Sequence, residues 1–167
     1  MMKAVWGSVF TAAAILACAS PAAAQPATHG ATVNVSAEVK AKAKLTLSGL
    51  TASFSDADPD TFTTVSATAI TVDVKARTAA NGNVTLTVLA NHDLTNADAV
   101  TIPINQLTWD ATGALSAGTM SATTAQSLGT WTGGGTQSGT QTYKLVNSWD
   151  YKTGTYTAAI TYTLTAP

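Results

Sequence analysis

The sequence predicts an all-β fold, an antiparallel β-sandwich of about seven to nine strands, and three observations lead to it. From Thr32 to Leu47 every odd position is apolar (Val33, Val35, Ala37, Val39, Ala41, Ala43, Leu45, Leu47) and every even position is polar. Successive side chains of an extended chain point to opposite faces, so an unbroken period of two marks a strand with one dry face and one wet face. Shorter alternating runs recur to the end of the chain, separated by the Gly, Asn, Asp and Pro that turns require. The polar positions are filled mainly by Thr and Ser, since charged residues make up only 10% of the chain. β-branched Thr suits a pleated surface with one side in water.

The chain opens with an export pattern. Lys3 supplies the positive start, Val5 to Ala19 an apolar run, and Pro21-Ala22-Ala23-Ala24 a small-residue cleavage site, so residues 1–24 are expected to be a signal peptide cut after Ala24. Ile15-Leu16-Ala17-Cys18 offers lipid attachment at Cys18, the single cysteine, as the alternative. The apolar run falls short of the roughly 20 residues that cross a bilayer, and no second one follows, so no membrane span is expected. The protein is then exported: extracellular, on the cell surface, or periplasmic. Residues 25–31 read as a flexible mature N-terminus, and 32–167 as a single β-sandwich domain.

The strand from Thr32 to Leu47 would extend about 50 Å at roughly 3.3 Å per residue, far longer than usual, so it must bend, bridge two sheets or leave its own domain. It is either the first strand of this domain or a strand given to a neighbour. Lys40, Lys42 and Lys44 on its wet face, beside Glu38, discourage indiscriminate edge pairing. A short strand is expected over Leu50 to Phe54. Asp56, Asp58 and Asp60 then follow at the i, i+2, i+4 spacing of an oxygen-liganded Ca²⁺ loop. Thr61 replaces the turn glycine and Ala67 the bidentate glutamate, so an ordinary acidic turn competes with a calcium site. No other cofactor is expected.

Ile70 to Arg77 and Val84 to Ala90 alternate on either side of Asn81-Gly82-Asn83, which reads as a hairpin. A strand from Ile102 to Trp109 carries Pro103, placing it at an edge or a bulge, and Asp110-Ala111-Thr112-Gly113 turns it. Leu128 to Trp131 is a short strand, and Gly133-Gly134-Gly135 reads as a mobile loop. Strands over Thr142 to Trp149 and Thr155 to Thr165 complete the chain, the last mirroring the first and expected to lie with it in or near one sheet.

The formal net charge of −1 argues against nucleic acid, whose binding needs clustered cations. Catalytic groups are sparse. The two histidines are His29, near the mature N-terminus, and His92, in a polar connection, and neither sits in a nucleophile or metal motif. The chain is therefore read as non-enzymatic, with no catalytic residue assigned. Aromatic residues concentrate late in the chain. Trp109, Tyr156 and Tyr162 fall in alternating strands as core, whereas Trp131, Trp149 and Tyr151 are candidates for stacking on sugar rings.

Gly154-Thr155-Tyr156 resembles the tyrosine corner of immunoglobulin-like domains, which implies an immunoglobulin-like sandwich. The final stretch Gly154 to Pro167 is similar to the C-terminal end of WxL surface domains, which associate with bacterial cell walls, although Tyr162-Thr163-Leu164 stands where their tryptophan motif would be. An exported Thr-rich sandwich with an alternating N-terminal strand is also similar to bacterial fimbrial and spore-coat-like subunits. That resemblance implies a surface or fibre-type structural subunit working by strand pairing through Val33, Val35, Val39 and Leu45. Its partners would be itself or other surface subunits, since members of such families can donate an N-terminal strand to a neighbour. The alternative is a module binding cell-wall glycan or another polysaccharide through Trp131, Trp149 and Tyr151.

Overall fold

The alternation of Ile70 to Arg77 and of Asn83 to Ala90 builds the core. Val72 and Val74 on the first run, and Val84, Leu86 and Val88 on the second, are fully buried, while the residues between them face outward or lie at the margin. In the computed structural model, which describes residues 29–167, these runs belong to different sheets that enclose one apolar cluster.

The strands are β1 (Lys42–Leu47), β2 (Thr64–Ser66), β3 (Ile70–Arg77), β4 (Asn83–Ala90), β5 (Leu94–Thr95), β6 (Thr101–Ile102), β7 (Leu107–Ala111), β8 (Gly118–Thr119), β9 (Gln126–Thr132), β10 (Gly135–Val146) and β11 (Ile160–Thr165). The larger sheet runs β1-β3-β10-β7-β8, with β2 paired to the far end of β10; the second runs β11-β4-β9; β5 and β6 form a small ribbon. All pairings are antiparallel. The expected all-β sandwich is thus what the chain adopts, and the only helical piece among the described residues is a 3₁₀ turn at Ile104–Gln106. Four of the eleven strands are two or three residues long, which leaves seven of ordinary length.

The centre of the core is aromatic. Trp109 of β7 and Tyr143 of β10 are directly opposed in the ladder and meet edge to face with centroids 6.5 Å apart. The buried Trp109 Nε1–H donates to the Ser116 carbonyl at 2.8 Å. Its ring lies over Gly118, where any Cβ would strike it at 2.5 Å.

Several expected elements are corrected. The first strand is paired only from Lys42 to Leu47; Val33 to Ala41 lie outside any ladder, because the edge of β3 that receives β1 ends at Arg77. Leu50 to Phe54 forms no strand. The two runs flanking Asn81-Gly82-Asn83 do not form a hairpin. The connection carries the chain from one sheet to the other, so the apolar faces of β3 and β4 oppose each other rather than lying side by side. Gly133 and Gly134 do the same between β9 and β10, with Gly133 at φ +78°, and are a tight crossing rather than a long loop. Pro103, lacking an N–H, divides the run expected from Ile102 to Trp109 into β6, the 3₁₀ turn and β7. β10 ends at Val146, and β11 begins only at Ile160, Thr157 making an isolated bridge to Thr95. β1 and β11 lie in different sheets.

Glu38–Pro167 forms one compact unit. The export signal of residues 1–24, its cleavage after Ala24 and the lipidation alternative at Cys18 lie outside the described residues, as does most of the segment 25–31. Among the described residues no helix is long and apolar enough to cross a membrane.

Candidate functional site: an open seam between the sheets

β1 and β11 are edge strands of the two sheets and approach each other without hydrogen bonding. The residues they turn toward the core are incompletely covered. Leu45 and Leu47 of β1, and Ile160, Tyr162 and Leu164 of β11, are half-buried, whereas the equivalent positions of the central strand β4 are sealed. Ala41 and Ala43, on the same face as Leu45, are exposed. The sandwich therefore has an apolar seam along one side, flanked by two rows of backbone N–H and C=O groups that no described strand pairs. Unpaired edges of this kind accept an added strand.

The chain carries a segment with the pattern to fill such a seam. Val33, Val35 and Val39 are 82%, 89% and 67% exposed. One alternating segment thus presents three valines to water. Of the four residues expected to act in strand pairing, the structure sorts Leu45 into β1, opposite Val74, and leaves Val33, Val35 and Val39 outside any strand.

Behind the seam lies a polar network. The Tyr162 hydroxyl donates to Gln141 Oε1 at 2.5 Å and shares a 2.8 Å hydrogen bond with the Tyr143 hydroxyl, fastening β11 to β10 through the core. The fully buried Gln141 Nε2 has no protein partner. Sequence reasoning passed over Gln141, because a lone glutamine in a Thr-rich strand gives no sign of facing inward.

Burial, reinforced by Tyr162, holds the Tyr143 phenol far above its ordinary range, and burial also raises Tyr162. Below about pH 10 both phenols are neutral whether the chain is folded or not, so they add no pH dependence there. Above that point the unfolded chain releases protons that the folded one retains, and stability falls with rising pH by up to about 1.4 kcal/mol per unit for each phenol. The expected result is a urea midpoint that declines once the pH passes the ordinary tyrosine range, with a visibly shallower decline in Tyr143→Phe. Equal slopes in the two proteins would contradict this.

The other candidate residues are dispersed. Trp131 is half-buried on β9 opposite Val84, with its ring over Gly129. Tyr151 is half-buried against the core and lies beyond the opposite end of β10. Trp149, 70% exposed, is also beyond that end, and its Nε1–H donates to Asp60 Oδ1 at 3.1 Å. The three aromatics do not form one platform. Asp60 accepts from Trp149 while its own N–H donates to Asp58 Oδ1 at 2.9 Å, and among the described residues no three His, Cys, Asp or Glu side chains converge as a metal site would require. The acidic loop is instead clamped to the end of β10, since Asn147 Nδ2 donates to the carbonyls of Ala57 and Phe62 at 2.9 and 3.0 Å. His92 is exposed, with its ring Nδ1 2.5 Å from the Asp93 carbonyl. The Tyr156 hydroxyl donates to the Lys152 carbonyl four residues upstream at 2.9 Å.

Compared with known families and curated proteins, the chain matches no family model and no curated sequence.

Proposed function

We propose that this chain is an exported, non-enzymatic structural subunit of a surface or fibre-type assembly, built on an immunoglobulin-like sandwich and joined by β-strand pairing. The segment around Val33 to Ala41 of one copy lies in the seam between β1 and β11 of another. The observation that carries this reading is the coincidence of two complementary features in one chain: an apolar seam bordered by unpaired strand edges, and an alternating apolar segment left in water. The Tyr156 hydrogen bond supports the immunoglobulin-like assignment, since a tyrosine at such a corner bonds back to the backbone a few residues upstream.

The lengths agree. Ten residues from Thr32 to Ala41 extend about 33 Å, enough to run along six-residue β1 and β11 with margin at both ends. Val33, Val35, Ala37, Val39 and Ala41 would face the core and cover Leu45, Ile160 and Leu164, while Asn34, Ser36, Glu38 and Lys40 faced water.

Light scattering of the mature chain over a range of concentrations is the test, beside a version lacking residues 25–41. Oligomers of the full chain, a monomeric truncated version, and a rise in the truncated version's melting temperature on adding a peptide of residues 30–41 are expected. A full chain that stays monomeric at all concentrations would refute strand exchange.

A further inference from the structure

The polar faces of β1 and β3 hold an arrangement that the fold itself does not reward. Antiparallel pairing sets Lys42 directly opposite Arg77 and Lys44 directly opposite Lys75. Like charges facing each other across a ladder are destabilising. All four side chains belong to exposed residues. The Arg77 Nε–H donates to the Lys40 carbonyl at 2.8 Å, which brings a fifth cation to the same corner. Five of the chain's eight Lys and Arg are thus gathered at one place, accompanied by two acids: Glu38, which pairs with Lys40 at 3.4 Å, and Asp73, which accepts from the Ser138 hydroxyl at 2.6 Å.

The acids gather elsewhere. β10 serves as a ruler, because Gly135 at its start pairs with Ala76 beside the basic corner, and Val146 at its end pairs with Thr64 beside the acidic loop. Its twelve residues separate the two by roughly 35 Å. Beyond Val146 lie Asp56, Asp58, Asp60 and Asp150, all exposed, with Lys152 as the local cation. The exposed indole of Trp149 stands among them, steadied by Asp60. Lys144, two residues before Val146, is taken up by its pairing with Asp110 of β7. A chain of almost zero net charge is therefore divided into a basic end and an acidic end.

We infer that copies of this chain stack head to tail, the basic end of one (Lys42, Lys44, Lys75, Arg77) seated on the acidic end of the next (Asp56, Asp58, Asp60, Trp149). The inference rests on the strand-pairing reading and adds its direction and its second interface. The segment before Lys42 leaves from the basic end. β11 runs from the acidic end, where Ile160 pairs with Ala90, toward the basic end, where Thr165 pairs with Thr85. A segment entering a neighbour's seam antiparallel to β11 leaves its own body over that neighbour's acidic end, so unlike charges meet. Entering in the opposite direction would press basic end on basic end. Charge thus selects one polarity, and repetition of a heterologous contact gives an open filament rather than a closed dimer. The Trp149 face adds a cation–π partner for an incoming Lys or Arg.

The test uses two variants of the full mature chain: Lys42→Glu with Arg77→Glu, which makes the basic end acidic, and Asp56→Lys with Asp58→Lys, which makes the acidic end basic. All four residues are exposed, so melting temperatures should stay near the parent's. At low ionic strength each variant alone should assemble at least about tenfold more slowly than the parent, as expected when electrostatic steering is lost. An equimolar mixture should recover assembly, in filaments where the two variants alternate. Parent-like assembly of either variant alone, or a mixture no better than its components, would overturn the head-to-tail contact while leaving strand pairing intact. A parent that never assembles would overturn both.

Discussion

Changing Val33, Val35 and Val39 together to aspartate should abolish assembly and leave the melting temperature of the monomer where it was. All three valines are exposed, Val39 the least at 67%, and surface substitutions of that kind usually change stability by no more than about 0.5 kcal/mol. In the assembled state each valine would be buried in a neighbour's seam, a gain of at least about 1.5 kcal/mol apiece, and the aspartates would instead bring unpartnered charge into an apolar groove. Together the three changes should weaken subunit association by three orders of magnitude or more, one for each 1.4 kcal/mol. Leu45→Asp is the control. That residue is already half-buried in β1 opposite Val74, so its loss should lower monomer stability whether or not the chain assembles. Light scattering and thermal unfolding on the two proteins separate the effects, and assembly by the triple variant at parental concentrations would count against the proposal.

Trp109→Ala should produce the largest change in stability, about 3–5 kcal/mol as for other buried tryptophans. The ring fills the space above Gly118, meets Tyr143 edge to face, and satisfies the Ser116 carbonyl. Removing it leaves a cavity and takes away the hydrogen bond to the Ser116 carbonyl. Against a total stability of about 5–15 kcal/mol, this is a third or more for all but the most stable domains. The measurement is urea unfolding, with the midpoint lowered and the slope unchanged. A midpoint within experimental scatter of the parent's would show that the centre of the core lies elsewhere.

The strands were legible wherever one face was dry and the other wet. The runs Ile70 to Arg77 and Val84 to Ala90 declare themselves by period alone, and both lie where that period puts them. Pairing was not legible, because it depends on residues far apart in the chain. Asn81-Gly82-Asn83 has hairpin chemistry, but it closes a five-residue connection from Thr78, and two strands that both bury their apolar faces gain more by opposing each other across a core than by lying edge to edge. The long opening strand divided at Lys42 for a similar reason: alternation shows that a segment seeks a dry face, without saying whose. The charge segregation was hidden because Lys42 and Arg77 are distant in sequence and become neighbours only through the β1–β3 register. The acidic loop was visible as a motif, but its position at one pole depended on Asn147 anchoring it to β10.

The central strand β10 touches β3, β2 and β7, yet it is among the last parts of the chain to be made. Until Val146 has emerged, β2 has no partner and the β1–β3 and β7–β8 pairs have nothing to join them, so the larger sheet cannot form from its earlier members alone. Every pairing in that sheet except β1 with β3 and β7 with β8 waits for it. The contact order is accordingly high, the folding rate correspondingly low, and an emerging chain spends its whole synthesis with sticky strand edges unshielded. A chain built this way acquires its shape only once its last strands have been made.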